Sequence, residues 1–141
     1  MRNRIKISFL AVWSLFAISV PLLAHHGTAG LDMQKTITVK GTVTAWLWAN
    51  PHTFLRFDAQ DAQGVVTHWN AEWMAPSTLV AYGVNAKTFK VGDEVSVTMT
   101  GIAKNGASVG RFIQAVLPSG EVIRQPANGP DAGANGYGAK P

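Results

Sequence analysis

Four histidines carry most of the chemistry this chain has available: His25, His26, His52 and His68, with no cysteine among the 141 residues. His25 and His26 directly follow "PLLA", and Ala24 is a small residue of the kind a signal peptidase cuts after. Cleavage there would make His25 the first residue, with a free α-amine that titrates near neutrality, unlike an internal amide. The amine nitrogen and the imidazole Nδ1 of one residue can close a chelate ring on a metal ion. One further imidazole completes a T-shaped all-nitrogen set, which suits Cu(II) best among the common divalent ions. His26 offers another route, through its imidazole and the deprotonated amide preceding it. The competing reading is an exposed N-terminus whose histidines bind nothing, so the pair needs a partner on the folded body.

His52 is the expected partner. It sits in "NPHTF", where Asn50 and Pro51 turn the chain out of one strand and His52 opens the next. In "DAQG", Asp61 suits the first position of a type I turn and Gly64 a position needing positive φ. Such a turn with a bulge sets Asp61 opposite Val65, Asp58 opposite His68, Arg56 opposite Asn70 and Phe54 opposite Glu72. Glu72 then lies diagonally from His52 on the same face, within reach of a cross-strand contact. A slip of two residues would make them direct neighbours. In either register Glu72 can orient the imidazole or act as a further ligand. His68 reads as a solvent-facing strand residue beside Asp58, outside the site. Met33, Met74 and Met99 are too scattered for a thioether copper site and read as packing.

Other chemistries lack support. The chain has no nucleophile elbow, no HExxH and no Gly-rich phosphate loop after a strand. Without cysteine it has neither thiolate metal sites nor a CxxCH haem attachment.

Positioning these residues begins with export. Arg2, Arg4 and Lys6 open the chain, Ile7 to Leu23 is almost unbroken apolar, and Leu22 and Ala24 occupy the −3 and −1 positions. This is the pattern of a secretory signal peptide over residues 1–24, predicting a periplasmic protein. Ile7 to Ala24 also approaches the length of a membrane anchor, but Pro21 and the abrupt turn to polar sequence favour cleavage. No later apolar run is long enough to span a bilayer. Losing the leader removes three of the twelve basic residues and none of the eight acidic ones, leaving nine against eight. The basic balance of the whole chain thus belongs largely to the leader, and no Lys/Arg run remains to track nucleic-acid phosphates.

The folded region is predicted to span residues 25–124. Residues 125–141, "QPANGPDAGANGYGAKP", are mostly Gly, Ala, Pro and Asn, and read as a flexible tail. From Thr36 to Trp48 the sequence alternates, with Ile37, Val39, Val43, Ala45 and Leu47 on one face. "HTFLRFDA" and "VVTHWNAEW" supply strands two and three. "APSTLVAYG" reads as a short helix from Pro76 to a C-capping Gly83. "VGDEVSVTMTG" and "GRFIQAVLPSGEVI" supply two more strands. The expected fold is therefore all-β with one short helix, in the order of a five-stranded OB-fold-like barrel; an open β-sandwich is the alternative. Gly41 suits a kink letting the first strand serve both sheets.

On this alternation Trp46 and Trp48 point away from the Val/Ile face, as a stacking platform would. A bulge near Gly41 or Ala45 would instead turn them into the core or over one barrel end. The platform is favoured for Trp46 and the bulge for Trp48; Trp69 and Trp73 read as core or cap residues.

Taken together, His25-His26-Gly27, Asp32, Gly41-Thr42-Val43, Asn50-Pro51-His52, Trp69 with Glu72, Pro76, Leu79, Gly83 and Gly92-Asp93 resemble a family of small secreted proteobacterial proteins of unknown function, DUF6152. The resemblance touches His25, His26, His52, Trp69 and Glu72 but not His68, and implies no activity. The leading expectation is a non-catalytic periplasmic domain binding a transition metal, copper(II), through His25, His26, His52 and Glu72. The rival is a metal-free module that binds a peptide, glycan or envelope protein through Trp46 and Phe54. A third reading resembles small periplasmic OB-fold stress proteins, which bind small ligands or partners.

Overall fold

The computed structural model describes residues 28–124. The leader, His25, His26 and the tail lie outside the described residues. After a short 3-10 turn at Thr28–Gly30 come β1 (Leu31–Leu47), β2 (Phe54–Gln60), β3 (Val66–Glu72), helix α1 (Pro76–Val80), β4 (Glu94–Ala103), β5 (Val109–Val116) and β6 (Val122–Arg124). The chain is mostly β with one short helix, as expected. The strands form a sheet in the order β3-β2-β1-β4-β5-β6, and β3 also pairs with β5. That last pairing is parallel and joins Asn70–Glu72 to Val109–Arg111, closing five strands into a ring; the other pairings are antiparallel.

β1 runs longer than the alternation suggested because it pairs with two neighbours in succession. Leu31 to Thr42 pairs with β4, and Thr42 to Leu47 pairs with β2, so Thr42 faces both Glu94 and Asp58. Gly41 stands at this handover. A Cβ there would lie 2.3 Å from the Asp58 carbonyl oxygen, so no side chain fits between the strands.

The register slips between Val43 and Ala45, leaving Thr44 as a bulge. One extra residue reverses which side chains face inward. Val43, before the bulge, is buried as the alternation predicts, and beyond the bulge it is Trp46 that packs on the core. This corrects the expectation of an outward Trp46 platform. Its indole Nε1 donates to the Asn85 carbonyl at 3.0 Å, and its ring meets Trp48, Trp73 and Phe89 at centroid distances of 5.6, 6.5 and 5.2 Å.

The core joins Leu55 and Phe57 of β2, Ala71 of β3 and Trp73 just after it, Val97 and Met99 of β4, and Phe112 and Ala115 of β5. Trp73 stacks on Phe112 at 4.1 Å. The segment between β3 and β4 adds Leu79, Val84 and Phe89. Burying each of the larger side chains contributes about 1.5–3 kcal/mol, which holds the ring closed from inside. α1 is shorter than expected. Its Ala75 N-cap makes no side-chain hydrogen bond. After it the chain turns through Gly83 at φ 80°, with the Val84 N–H donating to the Leu79 carbonyl. The sixth strand was not anticipated: the Leu117–Glu121 turn, with Gly120 at φ 83°, folds β6 back onto β5.

Candidate functional site

The β2–β3 register matches the sequence expectation rung by rung: Phe54 opposite Glu72, Arg56 opposite Asn70, Asp58 opposite His68. The Asp61 carboxylate sets it, accepting from the Gln63 and Val65 N–H groups at 2.9 Å each. Leu55, Phe57 and Ala71 are buried, so the alternate residues Phe54, Arg56, Asp58, His68, Asn70 and Glu72 share the outer face.

His52 lies two residues ahead of β2, after a cis Asn50–Pro51 bond. Its Nδ1 contacts Glu72 Oε1, and the two side chains are 46% and 30% exposed. The backbone on both sides is pinned. Thr53, fully buried, donates to the Met74 carbonyl from its N–H at 3.2 Å and its Oγ1 at 3.0 Å. The Trp73 N–H donates back to the Thr53 carbonyl at 2.9 Å. The residues following His52 and Glu72 are thus hydrogen-bonded to each other, which fixes how the imidazole meets the carboxylate.

Ring closure brings in a residue that sequence reasoning missed. Arg111 of β5 is the parallel register partner of Glu72. The carboxylate position is therefore flanked by Phe54 on one side and Arg111 on the other. Finding Arg111 from sequence would have required knowing that β3 meets β5, a contact between strands almost forty residues apart with no local signal.

His68 makes a similar pair, Nδ1 to Asp58 Oδ1 at 2.7 Å, with the imidazole 81% exposed. It lies six residues along the hairpin from the level of His52, roughly 20 Å at strand rise, too far to share an ion. Phe54 stands half-buried on the outer face. Among the described residues no group of three or more His, Asp or Glu side chains is gathered as a metal centre. His52 and Glu72 are together; the remaining two residues of the expected set, His25 and His26, lie outside the described residues. No helix among the described residues is long and apolar enough to cross a membrane.

Two surface concavities, of about 570 and 650 Å³, open elsewhere: one beside Gly41 and Glu94, the other between Tyr82–Thr88 and β6. Neither is lined by His52, Glu72 or Phe54.

Compared with known families, residues 12–112 match the family of unknown function DUF6152. The chain belongs to this family. The DUF6152 match covers His25, His26, His52 and Glu72, and ends at Phe112, part-way along β5. No curated protein and no solved structure matches the chain.

Proposed function

We propose that this DUF6152 member is an exported, non-catalytic metal-binding domain, built on an OB-like barrel formed by the five-strand ring, that takes copper(II) in the periplasm. After removal of residues 1–24, His25 supplies its amine and imidazole. His26 and His52 supply further imidazoles, and Glu72 orients or ligates. The observation that carries this reading is the contact between His52 Nδ1 and Glu72 Oε1: an imidazole already oriented by a carboxylate, as in metal sites whose ligand histidines are held from behind. A second observation supports it. The Gly30 and Ala29 carbonyls accept from the N–H and Nζ of Lys104, so the chain enters at the β4–β5 turn. β5 of that same hairpin is the neighbour of Glu72. The role is binding, delivery or buffering of the ion.

The test has two arms. Intact mass of the exported protein is expected to begin at His25, and the mature protein to take up Cu(II) with nitrogen-rich ligation. One extra residue ahead of His25 is expected to weaken uptake at least tenfold, about 1.4 kcal/mol. A different mature start, or uptake indifferent to the extension, overturns the reading. The metal-free interaction module retains Phe54 as an outer-face aromatic, without Trp46; indifference to both metal and extension favours it.

A further inference from the structure

We propose that Glu72 is a positioning residue that fixes His52 as its Nδ1–H tautomer, so that Nε2 is the atom offered to a ligand. This deepens the metal reading by choosing between the two roles open to Glu72. The argument starts from donor counting. A carboxylate only accepts hydrogen bonds, and each ring nitrogen of a neutral imidazole is either donor or acceptor. With Glu72 Oε1 against His52 Nδ1, the shared proton belongs to Nδ1. In the neutral ring Nε2 then keeps its lone pair, on an imidazole that is 46% exposed.

The fold makes this arrangement durable. Thr53 and Trp73, the residues after His52 and Glu72, are hydrogen-bonded through their backbones and both are buried. Glu72 itself is held between the strands of Phe54 and Arg111 and is less exposed than the imidazole. An Oε1 engaged with Nδ1 serves the metal through the ring rather than by direct ligation, and raises the donor strength of Nε2. The ligand class this suits is a borderline transition ion that accepts imidazole nitrogen. His68 is the built-in contrast, since its ring, paired with Asp58, is 81% exposed.

The tautomer is measurable without any metal. Two-bond ¹H–¹⁵N spectra of the ¹⁵N-labelled mature protein, recorded where the ring is neutral, are expected to show His52 as Nδ1–H. Glu72→Ala should return it to the Nε2–H form usual for free histidine. Glu72→Gln, which keeps an accepting Oε1, should retain Nδ1–H. Amide spectra of both variants check the fold. A wild-type His52 already in the Nε2–H form overturns the proposal even if neither variant folds, and so does an unchanged tautomer in a folded Glu72→Ala. With Cu(II) added, Glu72→Ala is expected to lose tenfold or more in affinity while Glu72→Gln stays near wild type. Equal losses in the two make Glu72 a ligand and overturn the positioning role. A wild type that takes up no Cu(II) overturns the metal reading, and the tautomer spectra still decide this inference.

Discussion

The β2–β3 hairpin carries two imidazole–carboxylate pairs on one face, and they sit in different surroundings. His68–Asp58 lies toward the middle of the hairpin, with its ring 81% exposed. His52–Glu72 lies where β3 also meets β5 and where Thr53 and Trp73 join behind the face. The chemical groups are nearly the same, but the backing differs. Both carboxylates lie between two strand partners and are about equally covered, at 30% exposed for Glu72 and 33% for Asp58. The difference lies in the imidazoles, 46% exposed for His52 and 81% for His68, and in the buried backbone bridge behind His52. A ring mostly in water gains little from its pairing. On the proposed metal reading the His52–Glu72 pair serves binding and the His68–Asp58 pair is only solvated, and each substitution below separates them.

The largest expected effect comes from Gly41→Ala. The new Cβ would meet the Asp58 carbonyl oxygen at 2.3 Å and Phe57 Cδ2 at 2.9 Å. Backbone cannot yield as a flexible side chain does, so β1 and β2 must separate at the handover. A loss of about 3 kcal/mol is expected, read as a lowered denaturant midpoint. The disturbance is centred on Asp58, so the His68 ring resonances should shift while those of His52 stay close to wild type. Equal shifts in both rings would show that the two pairs are not independent.

Much of this geography is legible from residues alone because its causes are local. Asp61 and Gly64 define a turn, the turn defines a register, and the register brings Glu72 to His52 and Asp58 to His68. What escapes notice depends on contacts between distant segments. The residues leave a bulge near Gly41 or Ala45 open without deciding it; pairing with β2 places it at Thr44 and turns Trp46 from an outer ring into a core one. Arg111 becomes Glu72's neighbour through closure of the ring. β6 exists because Gly120 reverses a chain that reads as one continuous strand. Of the candidate site, the half carried by β2 and β3 could be read in advance, because hairpins are specified by their own turns.

His52→Ala and His68→Ala sharpen the comparison at the next scale. Removing His52 is expected to weaken Cu(II) uptake by the mature protein at least tenfold, about 1.4 kcal/mol. Removing His68 should leave the binding curve unchanged. Competition titration against a chelator of known affinity reads both. Equal losses would point to surface histidines acting without distinction.

Thr53→Val tests the backing itself. The substitution keeps the volume but deletes the hydroxyl that donates to the Met74 carbonyl at 3.0 Å. That carbonyl still accepts from the residue 53 N–H, so no buried acceptor is orphaned. A loss of about 1 kcal/mol is expected. Relaxation measurements should show greater mobility of the His52 ring with no change at His68. An immobile His52 in this variant would mean that the bridge behind the face does not govern the pair.

The smallest effect is expected from Asp58→Ala, and its smallness is informative. Asp58 receives His68 Nδ1 at 2.7 Å, a distance that would pass for a strong interaction in isolation. The imidazole is mostly in water, where the gain from pairing is largely offset by lost solvation and by the entropy of holding the ring. Stability should therefore change by no more than about 0.5 kcal/mol, measured by denaturant unfolding with and without added salt. Glu72→Ala, with its less exposed partner, should not exceed this greatly in stability, because positioning a ring adds little to folding even where it matters to binding. The two carboxylates are thus expected to look alike in an unfolding experiment and to part only in the ring spectra of their histidines. If they part in unfolding as well, the His52–Glu72 pair serves the fold, and its orientation owes nothing to a ligand.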